Sequence, residues 1–246
     1  MNIIINGANG RMGRMLTECA EAQGVGIAAR ISRSYFHDDD NQTFGVLEEF
    51  TGDADVVIDF SNHSETGNLL GYCVMRHIPV VIGTTGQSEE ELNQIREASK
   101  EIPVFLSGNM SVGVAVLADL AKRAAAMFPD ADIEIIERHH NQKLDAPSGT
   151  ALLLARRICE ARGEMKFVVG RSGHAKREPD EIGIHALRYG SETGTHEIVI
   201  SNGKETITLK HEAENRSLFA QGALVAAQTL ITLEPGLYDM RAIVND

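Results

Sequence analysis

The sequence lacks several features that mark particular classes of protein. Its 246 residues include no tryptophan and only three cysteines, Cys19, Cys73 and Cys159, which form no Cys-x-x-Cys pair. Neither a zinc knuckle nor a disulfide framework is therefore predicted, and scattered cysteines suit a reducing compartment. No apolar run approaches the roughly 20 residues that cross a bilayer. The start of the chain is too short and too soon polar to be a signal peptide.

An excess of positive charge is also missing. The chain has 35 Asp and Glu residues against 23 Lys and Arg residues, a formal net charge of −12 at pH 7. Nucleic acids and acidic lipids bind basic surfaces, so we expect neither nucleic acid nor a membrane as a partner. A local basic cluster around Lys176 and Arg177 could still contact an anionic ligand. We expect a soluble, cytoplasmic protein of one large or two small domains.

Strands and helices alternate through the first half of the chain. Ile3, Ile4 and Ile5 predict a strand, residues 7–13 (GANGRMG) form a glycine turn, and a helical pattern follows. Strand, glycine turn and helix at the start of a chain are typical of a dinucleotide-binding unit, in which the turn receives the pyrophosphate. The spacing Gly-x-x-Gly-x-x-Gly departs from the usual Gly-x-Gly-x-x-Gly, so the prediction depends on this context.

The second predicted strand, residues 25–31, ends without an acidic residue. An acid at this point accepts a hydrogen bond from a free ribose 2′-hydroxyl, whereas an arginine accommodates a 2′-phosphate. This chain has Ser32 and Arg33 there. The sequence therefore predicts a weak preference for NADPH over NADH, with Arg33 binding the cofactor. The run Asp38 to Asp40 is interpreted as a solvated acidic turn.

Apolar β-branched runs at 55–59, 79–82 and 103–106 predict three further strands. Their alternation with helices predicts a parallel sheet, whose ligands bind at the carboxyl ends of the strands. Glycine and hydroxyl residues at the last two ends are candidate cofactor contacts, although ordinary turn chemistry explains them equally well. These candidates are Gly83, Thr84, Thr85, Ser107, Gly108, Asn109 and Met110.

The second half has a different pattern. The pattern predicts strands at residues 182–188, 195–200 and 206–210, and Asn202-Gly203 predicts a hairpin turn between the last two. An open sheet face needs a cover, and a second copy of the chain would supply one. We predict an α/β protein with a Rossmann-type parallel-sheet domain over 1–109, completed by a helix within 217–246. An α+β domain with an open mixed or antiparallel sheet is predicted over 110–216, for substrate binding and oligomerisation.

Residues 137–150 (ERHHNQKLDAPSGT) concentrate groups that carry chemistry. Two histidines, a lysine and an aspartate lie within seven residues, before a Pro-Ser-Gly-Thr turn and an apolar helix pattern. Free N–H groups at a helix start bind a carboxylate or phosphate, and His and Lys beside them shuttle protons or hold an anion. A solvated loop before a capped helix is the plain alternative, and the density of these groups favours function.

Other chemistries fit less well. Only two of the histidines adjoin and no His-x-x-x-His occurs, so no metal is expected. A Tyr-x-x-x-Lys pair is missing, and the cysteines fall in apolar helical patterns where inert burial is expected, which argues against two other dehydrogenase classes. His185, His196 and His211 are interpreted as core or interface residues, or as supporting contacts to an anion.

Residues 137–151 resemble the signature of the 4-hydroxy-tetrahydrodipicolinate reductase (dihydrodipicolinate reductase) family of bacterial diaminopimelate and lysine biosynthesis. Further matches follow in order at 7–13, 59–61, 83–86, 109–113, 182–188 and 219–224. The resemblance implies a two-domain oxidoreductase, usually a homotetramer. It implies that NADPH or NADH gives a hydride to a cyclic unsaturated dicarboxylate while a side chain supplies the proton.

The same resemblance implies the contacts of individual residues. The pyrophosphate would bind Gly7, Ala8, Asn9, Gly10, Arg11 and Met12, and the nicotinamide would lie beside 83–85 and 107–110. His139 would donate or accept a proton, Lys143 would donate one, and His140, Gly149 and Thr150 would hold the substrate's carboxylates. The chain departs from the family pattern at Ser32 and at Ser107-Gly108. A non-catalytic regulator that binds NAD(P)H is the alternative, and a regulator has no need of proton-transfer groups.

Overall fold

A computed structural model describes residues 1–33 and 42–244. The acidic turn predicted at Asp38 to Asp40 lies outside them. In chain order the elements are β1 Asn2–Asn6, α1 Arg11–Ala22, β2 Gly26–Ile31, β3 Thr43–Phe44, β4 Val56–Asp59, α2 Thr66–Arg76, β5 Val80–Ile82, α3 Glu89–Ala98, β6 Pro103–Leu106, α4 Val112–Met127, β7 Asp132–His139, α5 Gly149–Arg162, β8 Lys166–Val169, β9 Glu181–Arg188, β10 Thr195–Ser201, β11 Thr206–Glu212, α6 Ser217–Leu230, β12 Gly236–Tyr238 and α7 Arg241–Val244.

The chain forms two compact units. Unit 1 comprises Met1–Val112 and Ser217–Asp246, and unit 2 comprises Gly113–Arg216. Among the helices of the described residues, none combines the length and the apolar character that crossing a membrane requires.

Unit 1 is built on a seven-stranded sheet in the order β12-β6-β5-β4-β1-β2-β3, with every neighbouring pair parallel. From β1 the chain proceeds to β2 and β3 on one side, and from β4 to β5 and β6 on the other. The strand order therefore reverses between β1 and β4, where ligands bind in sheets of this kind. The predicted Rossmann-type sheet is confirmed.

Both faces of this sheet are covered by apolar side chains. Ile3 and Ile5 point into one buried cluster with α1 and α6, and Ile4 points into a second with α2 and α3. Strands buried on both faces read as continuous apolar runs, which is why the sequence revealed them. A capping box begins α3, because the side chains of Ser88 and Glu91 accept hydrogen bonds from each other's backbone N–H groups.

Unit 2 is built on a five-stranded mixed sheet in the order β11-β10-β7-β9-β8. Strand β10 runs antiparallel to β7 and β11, and β9 runs parallel to β7 and β8. One face packs on α4 and α5 through alternate residues such as Ile133, Ile182 and Ile198, and the intervening residues stay partly exposed. The predicted α+β unit with an open mixed sheet is therefore confirmed.

One expectation about this unit needs correction. Arg177 does not offer its charge to a ligand, because its guanidinium is bonded to Asp132, to Glu134 and to the carbonyl of Ile133. The positive charge of Arg177 is therefore balanced by carboxylates that lie 45 and 43 residues away in the chain.

Candidate active site

The glycine turn after β1 brings the start of α1 close to the sheet. Gly7 has φ of +83°, and a Cβ at Gly13 would lie 2.2 Å from the Gly7 carbonyl oxygen. Side chains larger than glycine are therefore excluded at both positions. Among the described residues no side chain caps α1, and its first turn contains no acid. The N–H groups of Gly7 and Ala8 donate to the Ile31 carbonyl, and that of Gly10 donates to the Gly7 carbonyl. The first N–H groups of α1 lack partners within the helix and can donate to an anion, so the turn and helix start fit a pyrophosphate.

Arg33, the residue predicted to meet the adenosine ribose, follows β2 and has an acidic partner. Its guanidinium pairs with the carboxylate of Glu65, which also accepts a 3.2 Å hydrogen bond from Asn68. The Arg33 side chain is 72% exposed and that of Glu65 is 25% exposed. Glu65 was not foreseen, because it lies on a separate segment just before α2 and nothing in the local sequence links it to Arg33.

A buried carboxylate lies where β4 ends. Asp59, 2% exposed, accepts hydrogen bonds from Asn6 at 2.8 Å, from the Ser61 hydroxyl at 2.6 Å and from Thr84 at 2.6 Å. Burial raises the pKa of Asp59, and these hydrogen bonds partly oppose the rise. The network links the ends of β1, β4 and β5. An acid ending a buried strand was the available signal for it.

The candidate contacts after β5 and β6 lie side by side in unit 1. A Cβ at Gly108 would lie 3.3 Å from the Thr85 methyl group, so the two segments touch at this point. The Ser107 hydroxyl donates to the Asn109 carbonyl at 2.8 Å and shapes the second turn. Met110 is 2% exposed within the apolar cluster around α6, so its side chain serves the core.

In unit 2, β7 ends in a carboxylate–imidazole pair. Glu137, with no exposed surface, lies 2.6 Å from His139 Nδ1 and accepts a 3.0 Å bond from the Ser148 N–H. Arg188 donates to both carboxylate oxygens at 2.7 Å. Burial raises the pKa of the Glu137 carboxyl, but the bonds from His139, Arg188 and Ser148 outweigh it and lower the pKa to about 2. Glu137 is therefore ionised.

Ser148 joins this pair to a second histidine and to the start of α5. Its hydroxyl accepts from the Ala151 N–H at 3.2 Å as the helix N-cap and lies 3.1 Å from His196 Nε2. The rings of His139 and His196 meet edge to face at 5.2 Å. Burial, and then the neighbouring imidazole of His139, lower the pKa of His196 to about 3, so His196 is neutral.

The loop between β7 and α5 carries the amine. Lys143 Nζ lies 2.8 Å from Asp145 Oδ1, with the lysine side chain 22% exposed. The hydrogen bond from Lys143, assisted by the Gly149 N–H, lowers the pKa of Asp145. Apart from its chain neighbours and its own helix backbone, no described atom lies within 4 Å of a Cβ built on Gly149, so there is space beside this residue. A carboxylate of the protein itself thus lies between the amine and the helix start.

The structure therefore brings together the candidates of each unit. Residues 7–12, 83–85 and 107–110 follow β1, β5 and β6 of unit 1, and Arg33 follows β2. His139, His140, Lys143, Gly149 and Thr150 lie between the end of β7 and the first turn of α5 in unit 2. The sequence predicted no site role for Arg188 and no specific contact for His196.

Other chemistries gain no support from the geometry. Over residues 1–33 and 42–244, no three His, Cys, Asp or Glu side chains are grouped as metal ligands would be. Burial raises the pKa of the thiols of Cys19, Cys73 and Cys159, which is the opposite of what an activated nucleophile needs. An imidazole, an amine and an anion-binding helix start are suited to proton transfer on a bound anion.

Two family models together match nearly the whole chain. The family model described as dihydrodipicolinate reductase, N-terminus, matches residues 1–110, and the one described as dihydrodipicolinate reductase, C-terminus, matches residues 113–244. A 4-hydroxy-tetrahydrodipicolinate reductase of Caldanaerobacter subterraneus subsp. tengcongensis is 46% identical over 248 residues, covering 100% of this chain and 98% of that protein.

Two further comparisons agree. A 4-hydroxy-tetrahydrodipicolinate reductase of Clostridium tetani is 43% identical, covering 100% of this chain and 97% of that protein. Among solved structures, the dipicolinate-bound dihydrodipicolinate reductase from Paenisporosarcina sp. TG-14 superposes with a TM-score of 0.82 at 26% identity, covering 99% of each chain.

Proposed function

The chain belongs to the dihydrodipicolinate reductase family, and on this premise we propose that it reduces 4-hydroxy-tetrahydrodipicolinate to tetrahydrodipicolinate with a hydride from NADPH or NADH. This places the enzyme, an oxidoreductase, in diaminopimelate and lysine biosynthesis. The observation that carries the chemistry is the buried Glu137–His139 pair at the end of β7, followed by Lys143 and by the start of α5, where the Asp145 carboxylate is bound.

The nicotinamide cofactor supplies the hydride, and the protein binds and orients it. We assign the pyrophosphate to the glycine turn of residues 7–12 and to the first N–H groups of α1, since no described side chain caps this helix start and its first turn has no acid. Residues 83–85 and 107–110 are assigned to the nicotinamide, mainly through backbone atoms. Arg33 is assigned to the 2′-phosphate of NADPH, which gives a weak preference for that cofactor.

The substrate is a dianion, and we assign its carboxylates to His140, Gly149 and Thr150. An anion at the start of α5 gains from the helix N-terminus and from the amine of Lys143. In this arrangement the substrate takes over the contacts that Asp145 makes with Lys143 and Gly149.

Reduction adds one hydride and one proton to the ring, and water leaves when the 4-hydroxy form reacts. Lys143 donates the proton from Nζ, and His139 gives or takes a proton at its ring nitrogen. Release of Lys143 from Asp145 by the substrate would place the ammonium beside the reacting ring. A proton-transfer group at the end of β7 and another in the loop that follows allow the proton to be delivered and then replaced from solvent.

We also propose that the protein is a cytoplasmic homotetramer. The open face of the unit 2 sheet supports self-association, because Leu187 leaves apolar surface exposed on it. Light scattering coupled to size-exclusion chromatography tests this assembly. A monomer at micromolar concentration would contradict it.

The decisive experiment is an assay of NADPH and NADH consumption. A dihydrodipicolinate synthase with pyruvate and aspartate semialdehyde generates the labile substrate in place. Consumption that needs every component supports the reductase, and the ratio of kcat/KM values gives the cofactor preference. Arg33→Ala should lower the NADPH to NADH ratio, and an unchanged ratio would remove Arg33 from the 2′-phosphate site.

Lys143→Ala separates catalysis from cofactor binding. We expect kcat to fall by about 10²–10⁴-fold, the usual contribution of a positioned acid, with the Kd for NADPH unchanged. An equal loss of NADPH affinity would indicate a structural role. Tight NADPH binding without consumption by the unmodified protein would favour a regulator and withdraw the roles of His139 and Lys143.

A further inference from the structure

The protonated nitrogen of His139 follows from the charge of its neighbour. An ionised carboxylate only accepts hydrogen bonds, and Glu137 Oε2 lies 2.6 Å from His139 Nδ1. Nδ1 therefore carries the hydrogen, and Nε2 is the nitrogen that exchanges a proton with a ligand. Gly194 keeps space beside it, because a Cβ at this position would lie 3.0 Å from Nε2.

Arg188 decides whether His139 must also carry a charge. Without a cation, the buried carboxylate of Glu137 would favour the imidazolium form of its neighbour. The sheet register pairs His139 with Arg188 across β7 and β9, which brings the guanidinium to both oxygens of Glu137. The carboxylate charge is thereby balanced within the protein, and His139 is free to be neutral.

The same guanidinium reaches the loop that carries the amine. Arg188 Nη2 donates to the Asp145 carbonyl at 2.6 Å, and Asp145 in turn bonds Lys143 through its side chain. One arginine therefore contacts both the partner of His139 and the backbone of the Lys143 loop.

We propose that Glu137 and Arg188 are a positioning pair for His139: Glu137 holds the hydrogen on Nδ1, and Arg188 balances the carboxylate charge so that Nε2 can take up and release a proton. The kinetic consequence rests on the proposed reductase function, whereas the tautomer of His139 does not.

Several charged or titratable groups lie beside His139 or beside His196, whose ring packs against it. They come from the adjoining strands and from the loop before α5, and they are Glu137, Arg188, His196, His211, Lys143 and Asp145. His196 is neutral, and Lys143 is paired with Asp145. The test should therefore remove the charge of Glu137 or of Arg188.

The test compares the pH dependence of kcat/KM in Glu137→Gln and Arg188→Met. In Glu137→Gln, Arg188 becomes an unbalanced positive charge beside His139, so the limb of the profile set by His139 should move to lower pH. In Arg188→Met, the carboxylate is unbalanced and the same limb should move to higher pH. Shifts of about one pH unit are expected from charges at such distances.

Opposite shifts support the pair. Shifts in the same direction, or a fall in kcat with neither limb moved, would overturn the proposal, because a merely structural role has no reason to move the profile by the sign of the charge removed.

Glu134→Gln is the matched control. Glu134 lies on the same strand and also binds a histidine and an arginine, His185 at 2.8 Å and Arg177, but it does not contact His139. Its substitution should leave the limb in place. An equal movement in this variant would show a general charge effect and would also overturn the proposal.

A measurement on the unmodified chain applies even if the variants fail to fold. In a long-range ¹H–¹⁵N correlation spectrum of histidine-labelled protein, His139 is assigned by its loss in His139→Asn. We expect Nδ1 protonated and Nε2 unprotonated at mildly alkaline pH, and the reverse would overturn the proposal. The spectrum needs no substrate, so the expected tautomer without NADPH consumption would contradict only the proposed function.

Discussion

Each unit of this protein contains an almost fully buried carboxylate at or near the carboxyl end of a strand, Asp59 in unit 1 and Glu137 in unit 2, and these two carboxylates have different partners. Asp59 in unit 1 accepts from the neutral groups of Asn6, Ser61 and Thr84, and burial raises its pKa. Glu137 in unit 2 accepts from Arg188 and His139, and its pKa falls to about 2 despite burial. Two carboxyl groups that are both buried therefore have pKa values shifted in opposite directions.

The difference shows what each network is suited to do. Neutral donors hold Asp59 in place and orient Thr84, a candidate nicotinamide contact, without requiring a permanent charge. A cation and an imidazole hold Glu137 ionised, which is what fixes the hydrogen on His139. The first network is suited to shaping a turn, and the second to controlling a proton.

The largest expected effect comes from removing the cation of the second network. Arg188→Met leaves a buried carboxylate with only His139 to balance it, and we expect a loss of about 3–5 kcal/mol in the free energy of unfolding. Urea denaturation measures it. Arg177→Met is the matched control and should cost less, because Glu134 is 30% exposed and can be hydrated. Similar losses of unfolding free energy would mean that the burial of the carboxylate partner does not determine the effect of removing its arginine.

The pH dependence of stability should separate the two carboxylates by sign. The pKa of Glu137 is lowered from 4.5 to about 2, so its contribution is present above pH 4.5 and is lost as the pH falls toward 2. That contribution is about 3 kcal/mol. The pKa of Asp59 is raised above 3.8, so its contribution is present below pH 3.8 and is lost as the pH rises through the raised value.

Urea midpoints at several pH values, with Glu137→Gln and Asp59→Asn as references, measure both terms. The advantage of the native chain over Glu137→Gln should shrink on acidification, and its advantage over Asp59→Asn should grow. If the two differences in urea midpoint, native chain minus Glu137→Gln and native chain minus Asp59→Asn, changed with pH in the same direction, the two carboxylates would titrate alike.

Asp59→Asn itself should have a modest effect near neutral pH. An amide keeps one acceptor for Asn6 and Ser61, and its NH₂ group can donate to the Thr84 hydroxyl, so the network survives without a charge. We expect a change within about 1 kcal/mol. A loss several times larger would mean that unit 1 requires the ionised form.

The smallest effect is expected where the carboxylate is exposed. Glu65→Gln should leave stability unchanged, since exposed ion pairs contribute little. It frees Arg33 for a 2′-phosphate, so the Kd for NADPH should fall about three-fold while that for NADH does not. Cofactor fluorescence titration measures both. In the double variant with Arg33→Ala the gain should vanish, and a persistent gain would exclude Arg33 as its source.

Much of the fold was predictable because its signals are local. The apolar runs at β1, β4, β5 and β6, the glycine turn after β1 and the hairpin between β10 and β11 each lie within a few consecutive residues. The sequence did not predict strands β3, β8 and β12. They have two to four residues each, which is too few to show a periodic pattern.

The sequence by itself determined the fold class, the family and the stretch that carries the imidazole and the amine, because these depend on residue types at short spacing. Only the tertiary structure decided that Arg188, 51 residues from Glu137, balances its charge, and that His196 adjoins Ser148 across 48 residues. Both contacts follow from the register of β7 with β9 and β10. Register depends on how the whole sheet buries its apolar face, and no local pattern states it.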